Sequence, residues 1–238
     1  MARPSLLLAA ALLLGGAACR AAAPSLPANV LTPEEERAGW RSLFDGESLE
    51  HWRCFRAKSV SAGWRVVDGA IARVGAAGDL LTREQFADFI LEIDWKISPG
   101  GNSGILFRVT EDYEEVWETG PEMQILDDRA VPAGLDPKTA AGANYALHAP
   151  AAEYSKPAGE WNHARLEVRG AHVVHHLNGH LLLEYDLWSP KWRELVAASK
   201  FAAMPDYGRR RTGHIALQDH GDEVWFRNLK ILPLAESR

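Results

Sequence analysis

The sequence is poor in cysteine and in positive charge. Its 238 residues include two cysteines, too few for a scaffold held together by several disulfides. Lysine and arginine number 26 against 32 aspartates and glutamates, which gives a net charge of −6. Because basic tracts supply most non-specific affinity for nucleic acids, and none is present, we expect no nucleic-acid partner. With 47% apolar and 24% charged residues, the chain has an ordinary globular composition.

Motifs of several common catalytic chemistries are also absent from the sequence. It has no HExxH or paired CxxC metal motif, no GxSxG nucleophile turn, no Walker A loop and no dinucleotide fingerprint. Histidines crowd residues 172–180, but His172 and His176 lie four residues apart on one predicted strand face. That spacing is too long for both to bind one ion. Function must therefore be sought in residues that the fold brings together.

The longest apolar run belongs to a predicted export segment. Arg3 precedes the apolar run 6–14 and the small residues 15–18, which is the pattern of a secretory signal peptide over residues 1–18. The run is shorter than the roughly 20 residues that span a bilayer, which argues against a retained membrane helix. Cys19 directly follows the small residues, as in a bacterial lipobox. We expect cleavage before Cys19 and lipidation of its thiol, with ordinary cleavage nearby as the alternative.

A lipidated Cys19 would make the chain an exported lipoprotein, periplasmic or at the outer membrane. It would contact a membrane only through this anchor. Residues 19–33, rich in alanine and proline, would form a semi-extended tether, and residues 34–238 a single folded domain. Cys54 would then have no partner, and its strand-like surroundings predict a buried, unreactive thiol.

Helix-capping signals occur at two places. A Thr-Pro-Glu-Glu stretch predicts a short helix from Pro33 to Ala38. A Ser-Pro pair predicts a second helix over residues 191–199.

The rest of the chain consists of short runs typical of β-strands, bounded by glycine, proline, asparagine or aspartate. The predicted strands are residues 63–67, 70–74, 88–97, 103–110, 122–126, 144–148, 161–169, 172–177, 180–185, 214–218 and 224–232. Asp68-Gly69 and Asn178-Gly179 are dipeptides that type I′ hairpin turns favour. Since no βαβ alternation is visible, the sequence predicts an all-β antiparallel sandwich or jelly roll with one or two short helices.

Polar residues alternate with apolar ones on several predicted strands. Glu122 and Gln124 share one face of their strand, while Met123 and Ile125 share the other. Other strands contribute polar groups in the same way: Glu92, Asp94, Lys96, Arg108, Gln218, Asp219 and His220. A solvated outer face explains each of them singly. Together they would form a concave polar groove that binds a hydroxyl-rich molecule and transfers protons on it.

Nine segments between residues 39 and 232 form a specific combination. They are GWRSLFDGESLEHW, GDLLTREQFADFILEIDWKI, PGGNSGILFRV, TGPEMQILDD, GANYALHAP, KPAGEWNHARLEV, HHLNGHLLLEYD, SKF and GHIALQDHGDEVWFRNLKI. In this order they resemble the bacterial 3-keto-disaccharide (3-keto-glycoside) hydrolase family, which has a concanavalin A-like jelly-roll fold. Two positions depart from the family's pattern: Asp94 stands where glutamate is more usual, and His163 where a hydroxylated residue is common.

The resemblance implies a substrate whose hydroxyl at sugar carbon 3 has been oxidised to a ketone by a partner sugar 3-dehydrogenase. Such a ketone acidifies the proton on carbon 2, so a general base can remove it. The glycosidic oxygen then leaves carbon 1, and addition of water completes a net hydrolysis, much as in the oxidation-dependent exception to two-carboxylate glycosidases. The expected activity is cleavage of 3-keto-glycosides.

Under this hypothesis, His220 or Glu122 is the base, and Arg108 and Lys200 are cationic stabilisers. The residues expected to bind substrate hydroxyls are Asp94, Gln124, Tyr145 and Gln218. A divalent metal bound by carboxylates is an alternative stabiliser that the sequence neither requires nor excludes.

Other functional classes stay open at this point. One is a non-catalytic, lectin-like surface lipoprotein, since jelly rolls also host carbohydrate-binding modules. Another is a structural surface lipoprotein. A third is a conventional glycosidase with Glu122 and Asp94 as its pair of carboxylates, about 5 to 9 Å apart.

Overall fold

The computed structural model describes residues 27–131, 134 and 136–235. The predicted signal peptide (1–18) and the predicted lipidation site Cys19 lie outside these residues. Two α-helices occur in the described part of the chain, α1 (Pro33–Ala38) and α2 (Pro190–Ala197). Short 3₁₀ helices cover Val116–Glu118, Asp128–Ala130, Pro137–Thr139 and Lys200–Ala203. No helix within these bounds has the length and hydropathy that crossing a bilayer requires.

Thirteen strands are found in the same residues. They are β1 (Arg41–Ser42), β2 (Trp52–Cys54), β3 (Trp64–Val67), β4 (Ala70–Arg73), β5 (Leu80–Thr82), β6 (Phe89–Ile97), β7 (Asn102–Val109), β8 (Glu122–Leu126), β9 (Asn162–Arg169), β10 (His172–Leu177), β11 (His180–Asp186), β12 (His214–Leu217) and β13 (Val224–Pro233).

The described strands form two antiparallel sheets. The eight-stranded sheet has the order β11-β10-β9-β6-β13-β4-β3, with β1 paired to β13. The five-stranded sheet has the order β2-β5-β12-β7-β8. Alternate residues of both sheets pack into one core, as Trp95 and Phe226 do from the first sheet and Phe107 and Ile125 from the second. The predicted all-β jelly-roll sandwich with short helices is therefore confirmed.

Local sequence signals placed both predicted hairpin turns and both α-helices of the described residues. Asp68 and Gly69 have φ of 50° and 71°, and Asn178 and Gly179 have 51° and 82°, the positive values that type I′ turns require. Helix α1 has the predicted bounds, and α2 begins at the proline of the Ser-Pro pair but ends at Ala197, two residues before the predicted end. Cys54 is buried, as predicted.

The predicted strand over residues 144–148 is wrong. The segment folds back on itself, because Ala146 adopts a positive φ of 60° and the His148 N–H donates to the Asn144 carbonyl at 2.9 Å. Isolated bridges join Asn144 to His148 and to Met123 beside it. The turn lies along β8, which is the edge of the five-stranded sheet, and it carries Tyr145.

Candidate active site

The register of the five-stranded sheet aligns polar residues on its outer face. The Gln218 N–H, directly after β12, donates to the Gly104 carbonyl at 3.0 Å. Gly104 on β7 pairs in turn with Gln124 on β8. Their neighbours Leu217 and Ile105 point the other way, into the core between the sheets. Residues far apart in the chain thus form one polar row.

This outer face contains a pocket of about 270 Å³. Its lining residues are Asn102, Trp117, Glu122, Gln124, Tyr145, Lys200, Gln218 and His220. Six of the eight predicted catalytic or substrate-binding residues are among them. Asn102 and Trp117 were not predicted: the first lies in a Gly-rich stretch that reads as a turn, and the second in a loop without strand periodicity.

Glu122 is the acidic residue among those that line this pocket. Its side chain is 5% exposed and lies across Gly104, where a Cβ atom would come within 2.8 Å of Glu122 Cγ and Cδ. Burial raises the pKa of Glu122 to about 8; Lys200 acts in the opposite direction, and the negative charge of Asp79 adds to the increase. Only glycine at position 104 leaves space for this carboxyl group.

Gln124 links Glu122 to the neighbouring strand. The orientation of the Gln124 amide that satisfies its neighbours places the nitrogen towards two acceptors. In this orientation it donates to the Ser103 carbonyl and to Glu122 Oε1, both at 3.0 Å. The Ser103 hydroxyl donates to the Gln218 carbonyl at 2.8 Å, which ties β7 to the segment after β12. These hydrogen bonds fix the position of the Glu122 carboxyl group on the sheet.

Lys200 and Tyr145 close the pocket beyond β8. Ser199 caps the 3₁₀ helix that carries Lys200, and Lys200 Nζ lies 4.1 Å from the centre of the Tyr145 ring. Burial lowers the pKa of Lys200 and raises that of Tyr145. The Tyr145 N–H donates to the Glu122 carbonyl at 3.0 Å. An ammonium and a phenol thus lie beside the buried acid.

Two buried oxygen atoms of the pocket have no hydrogen-bond partner, Asn102 Oδ1 and Gln218 Oε1. Unpartnered buried polar atoms are costly, and here both line a cavity where a ligand's hydroxyl groups could donate to them. His220 is exposed at the rim, with Nε2 3.5 Å from Asn102 Nδ2. The lining therefore suits a polyhydroxylated ligand.

Arg108 does not belong to this pocket, which corrects the prediction. It has a positive φ of 53°, at a point where the pairing of β7 with β12 shifts its register. Such a bulge redirects a side chain. The Arg108 guanidinium is 2% exposed, donates to Asp88 Oδ1 at 3.1 Å and to the Ala87 carbonyl, and lies over the Trp188 ring.

Asp94 is also placed elsewhere, on the outer face of the eight-stranded sheet. Its Oδ1 lies 2.8 Å from His163 Nδ1, and its Oδ2 accepts from Asn228 at 2.7 Å. Although burial acts to raise the pKa of Asp94, these bonds lower it overall. Stacked sheets lie about 10 Å apart, so Asp94 and Glu122 on opposite outer faces cannot flank one glycosidic bond. The conventional two-carboxylate glycosidase is therefore excluded for this pair.

No group of three or more His, Cys, Asp or Glu side chains in the described ranges is arranged to hold a metal ion. Two of the histidines of β10 and β11 have other contacts. His175 is buried with Nδ1 3.0 Å from the Gly142 carbonyl oxygen, while His180 stacks on Tyr154.

Known proteins similar to this chain act on, or are provisionally assigned to, glycosides. A 3-keto-disaccharide hydrolase of Bacteroides thetaiotaomicron is 34% identical over 225 residues, which is 81% of this chain and 78% of the relative. A crystal structure from Parabacteroides distasonis, provisionally named a glycosyl hydrolase, is 37% identical with a TM-score of 0.83 and covers 88% of this chain and all of its own. A second such structure from that organism is 29% identical, with a TM-score of 0.64, and covers 82% of this chain and 99% of its own.

The sandwich, its polar pocket and these relatives together define the class: a glycoside-acting hydrolase built on a jelly roll. Residues 39–232 match the family described as 3-keto-alpha-glucoside-1,2-lyase-like domains. The chain belongs to this family, and the family resemblance read from the sequence is confirmed.

Replacing the buried acid should stabilise the protein at alkaline pH. Because the pKa of Glu122 is about 8 in the fold against 4.5 ordinarily, the folded state binds this proton more tightly than the unfolded state. The contribution of Glu122 to the free energy of unfolding therefore falls as the pH rises from 4.5 through 8. A glutamine at this position does not ionise, so it causes no such fall. We expect the free energy of unfolding of Glu122→Gln to exceed that of wild type increasingly between pH 5 and 9, by on the order of a few kcal/mol.

Urea unfolding at pH 5, 7 and 9 measures this difference. Glu47→Gln, at an exposed acid outside the pocket, is the control and should follow wild type at each pH. A difference between Glu122→Gln and wild type that does not change with pH would contradict the raised pKa.

Proposed function

We propose that this protein cleaves 3-keto-glycosides by removing the proton on carbon 2, eliminating the glycosidic oxygen and adding water. The observation that carries the proposal is the buried Glu122 carboxyl group, with a pKa of about 8, in a polar pocket beside Lys200. A base is most effective when its pKa lies near the working pH, and an ordinary surface glutamate is far too weak. Membership of the family supports the same substrate class.

Proton removal is the first step of the proposed reaction. The Glu122 carboxylate takes the proton from carbon 2, and the electron pair moves onto the ketone oxygen of carbon 3 as an enolate. Lys200 and Tyr145, at the closed end of the pocket, would stabilise this oxygen by charge and by hydrogen bonding. Gln124, Gln218 and Asn102 would bind sugar hydroxyls.

Elimination and hydration complete the reaction. The enolate collapses, a double bond forms between carbons 1 and 2, and the bond from carbon 1 to the glycosidic oxygen breaks. The departing oxygen takes a proton, for which exposed His220 at the rim is our candidate donor. Water then adds its hydroxyl to carbon 1 and gives its proton to His220, while Glu122 returns its proton to carbon 2, so that both residues regain their starting states. The substrate must come from a sugar 3-dehydrogenase, which we propose as the functional partner.

The first prediction from this proposal is selectivity for the oxidised sugar. The purified full chain should release monosaccharide from a 3-keto-disaccharide and none from the parent disaccharide, because only the ketone acidifies carbon 2. Chromatography of the products, with and without a chelator, measures this and tests the metal alternative. Binding of either sugar without cleavage would contradict the proposal and support the lectin-like alternative.

A second prediction concerns the space that Gly104 leaves for Glu122. Gly104→Ala should lower kcat for the 3-keto-disaccharide by about 100-fold, as Glu122→Gln should, since general base catalysis contributes roughly 10² to 10⁴. The Cβ atom of an alanine at position 104 would displace the Glu122 side chain. An alanine at position 75 would have no atom closer than 3.9 Å to its Cβ.

Gly75→Ala is therefore the matched control and should retain activity, and thermal unfolding should show that all three variants are folded. Full activity of Gly104→Ala would show that Glu122, in its observed position, is not the base.

We further propose that the protein is exported and anchored by a lipid on Cys19. The support is the signal-peptide pattern of residues 1–18 followed directly by this cysteine. Metabolic labelling with a radioactive fatty acid should mark wild type and Cys54→Ala but not Cys19→Ala. Recovery of unlabelled wild type in the soluble periplasmic fraction would instead support ordinary cleavage.

A further inference from the structure

We propose that the pocket is the closed end of a longer groove, in which Phe55 and Asp79 form a second subsite. This subsite would bind the leaving group of the glycoside when that group is a second sugar ring. The inference rests on the proposed function, because a leaving group exists only if the glycosidic bond is cleaved. Neither residue stood out in the sequence, since both lie just outside strands.

Hydrogen bonds extend the row formed by Gln124, Gly104 and Gln218 across the whole five-stranded sheet. Leu80 pairs with Leu217, so Asp79 lies opposite Gln218, and the Asp219 N–H donates to Asp79 Oδ1 at 2.8 Å. On the other side of β5, the Phe55 N–H donates to the Asp79 carbonyl at 2.8 Å.

The completed row therefore runs through Phe55, Asp79, Gln218, Gly104 and Gln124. Adjacent strands are about 4.8 Å apart, so the distance from Gly104 to Phe55 is about 14 Å across three steps. That leaves room beside the catalytic pocket for a further ring.

The row faces outward along its full length. Cys54, Leu80 and Leu217 belong to the core between the sheets, so the residues next to them point to the opposite face. Phe55 and Trp117 are both partly buried against a small apolar cluster on that outer face. One wall of the groove therefore carries an aromatic ring near each end.

The side chains of the second subsite have the chemistry that recognises a sugar. An aromatic ring packs against the apolar face of a pyranose, and carboxylate or amide oxygens accept from its hydroxyls. Asp79, next to Phe55, provides such an acceptor, and the unpartnered buried Gln218 Oε1 provides another one strand further along the row. The negative charge of the Asp79 carboxyl also contributes to the raised pKa of Glu122.

The order of carbon atoms in the substrate determines which way the leaving group points. Carbon 2 lies between carbon 3, which carries the ketone, and carbon 1, which carries the glycosidic oxygen. If Glu122 removes the carbon 2 proton and Lys200 stabilises the oxygen on carbon 3, carbon 1 must point away from Lys200. That direction leads past Gln218 to Asp79 and Phe55.

Two substrates with the same oxidised ring test this subsite, a 3-keto-disaccharide and the corresponding methyl 3-keto-glycoside. Phe55→Ala and Asp79→Asn should each lower the ratio of kcat/KM for the disaccharide to that for the methyl glycoside by about tenfold. Asparagine keeps the Oδ1 acceptor of the Asp219 N–H, so the fold should persist. Leu49→Ala, another partly buried apolar residue, and Asp68→Asn, in a turn of the other sheet, are matched controls.

An unchanged ratio, or an equal loss for both substrates, would overturn the subsite while leaving the proposed function in place. If wild type cleaves neither substrate, the proposed function fails, and calorimetry then decides the subsite separately. Wild type should bind the disaccharide more tightly than the methyl glycoside, and Phe55→Ala should abolish that advantage. Equal affinities in wild type would overturn the inference.

Discussion

The burial of one carboxyl group is the constraint on which the site depends. Glu122 occupies the space above Gly104, away from water, where an ionised carboxylate is costly. The group is fixed there by the pairing of β8 with β7, by the Tyr145 N–H on the other side of β8 and by the Gln124 amide. The same burial raises the pKa of Glu122 towards neutrality, which an abstracting base requires. Stability and the proposed chemistry therefore oppose each other at this residue.

The two outer faces of the sandwich differ in how far their side-chain oxygens are paired. On the eight-stranded sheet, Glu92 forms ion pairs with Arg165 and Lys230, and Asp94 is bonded to His163 and Asn228. Charges that are paired within the protein have little left to offer a ligand. On the five-stranded sheet, buried oxygens stay unpartnered around an acid. This contrast, more than the number of charges, is the reason why we propose the five-stranded face as the one that binds substrate.

Aromatic packing connects helix α2 to the pocket. Trp192 on α2 stacks on Tyr207, with 5.9 Å between the ring centres, and Tyr207 stacks on Phe201 at 3.8 Å. Phe201 directly follows Lys200. Stacked rings have few rotatable bonds, so they fix the short 3₁₀ helix that presents the Lys200 ammonium beside Tyr145.

Sequence alternation, turn dipeptides and capping residues by themselves determined the β-sandwich, both hairpin turns and the two helices, because these signals act between close neighbours in the chain. The alternation also showed that Glu122 and Gln124 share a face. Only the tertiary structure decided that Asp94 belongs to the other sheet, that a bulge turns Arg108 away, and that Asp79 lies beside Gln218. A period of two residues reports which side chains share a face of one strand. It does not report which strands pair, since pairing depends on contacts between segments far apart in the chain.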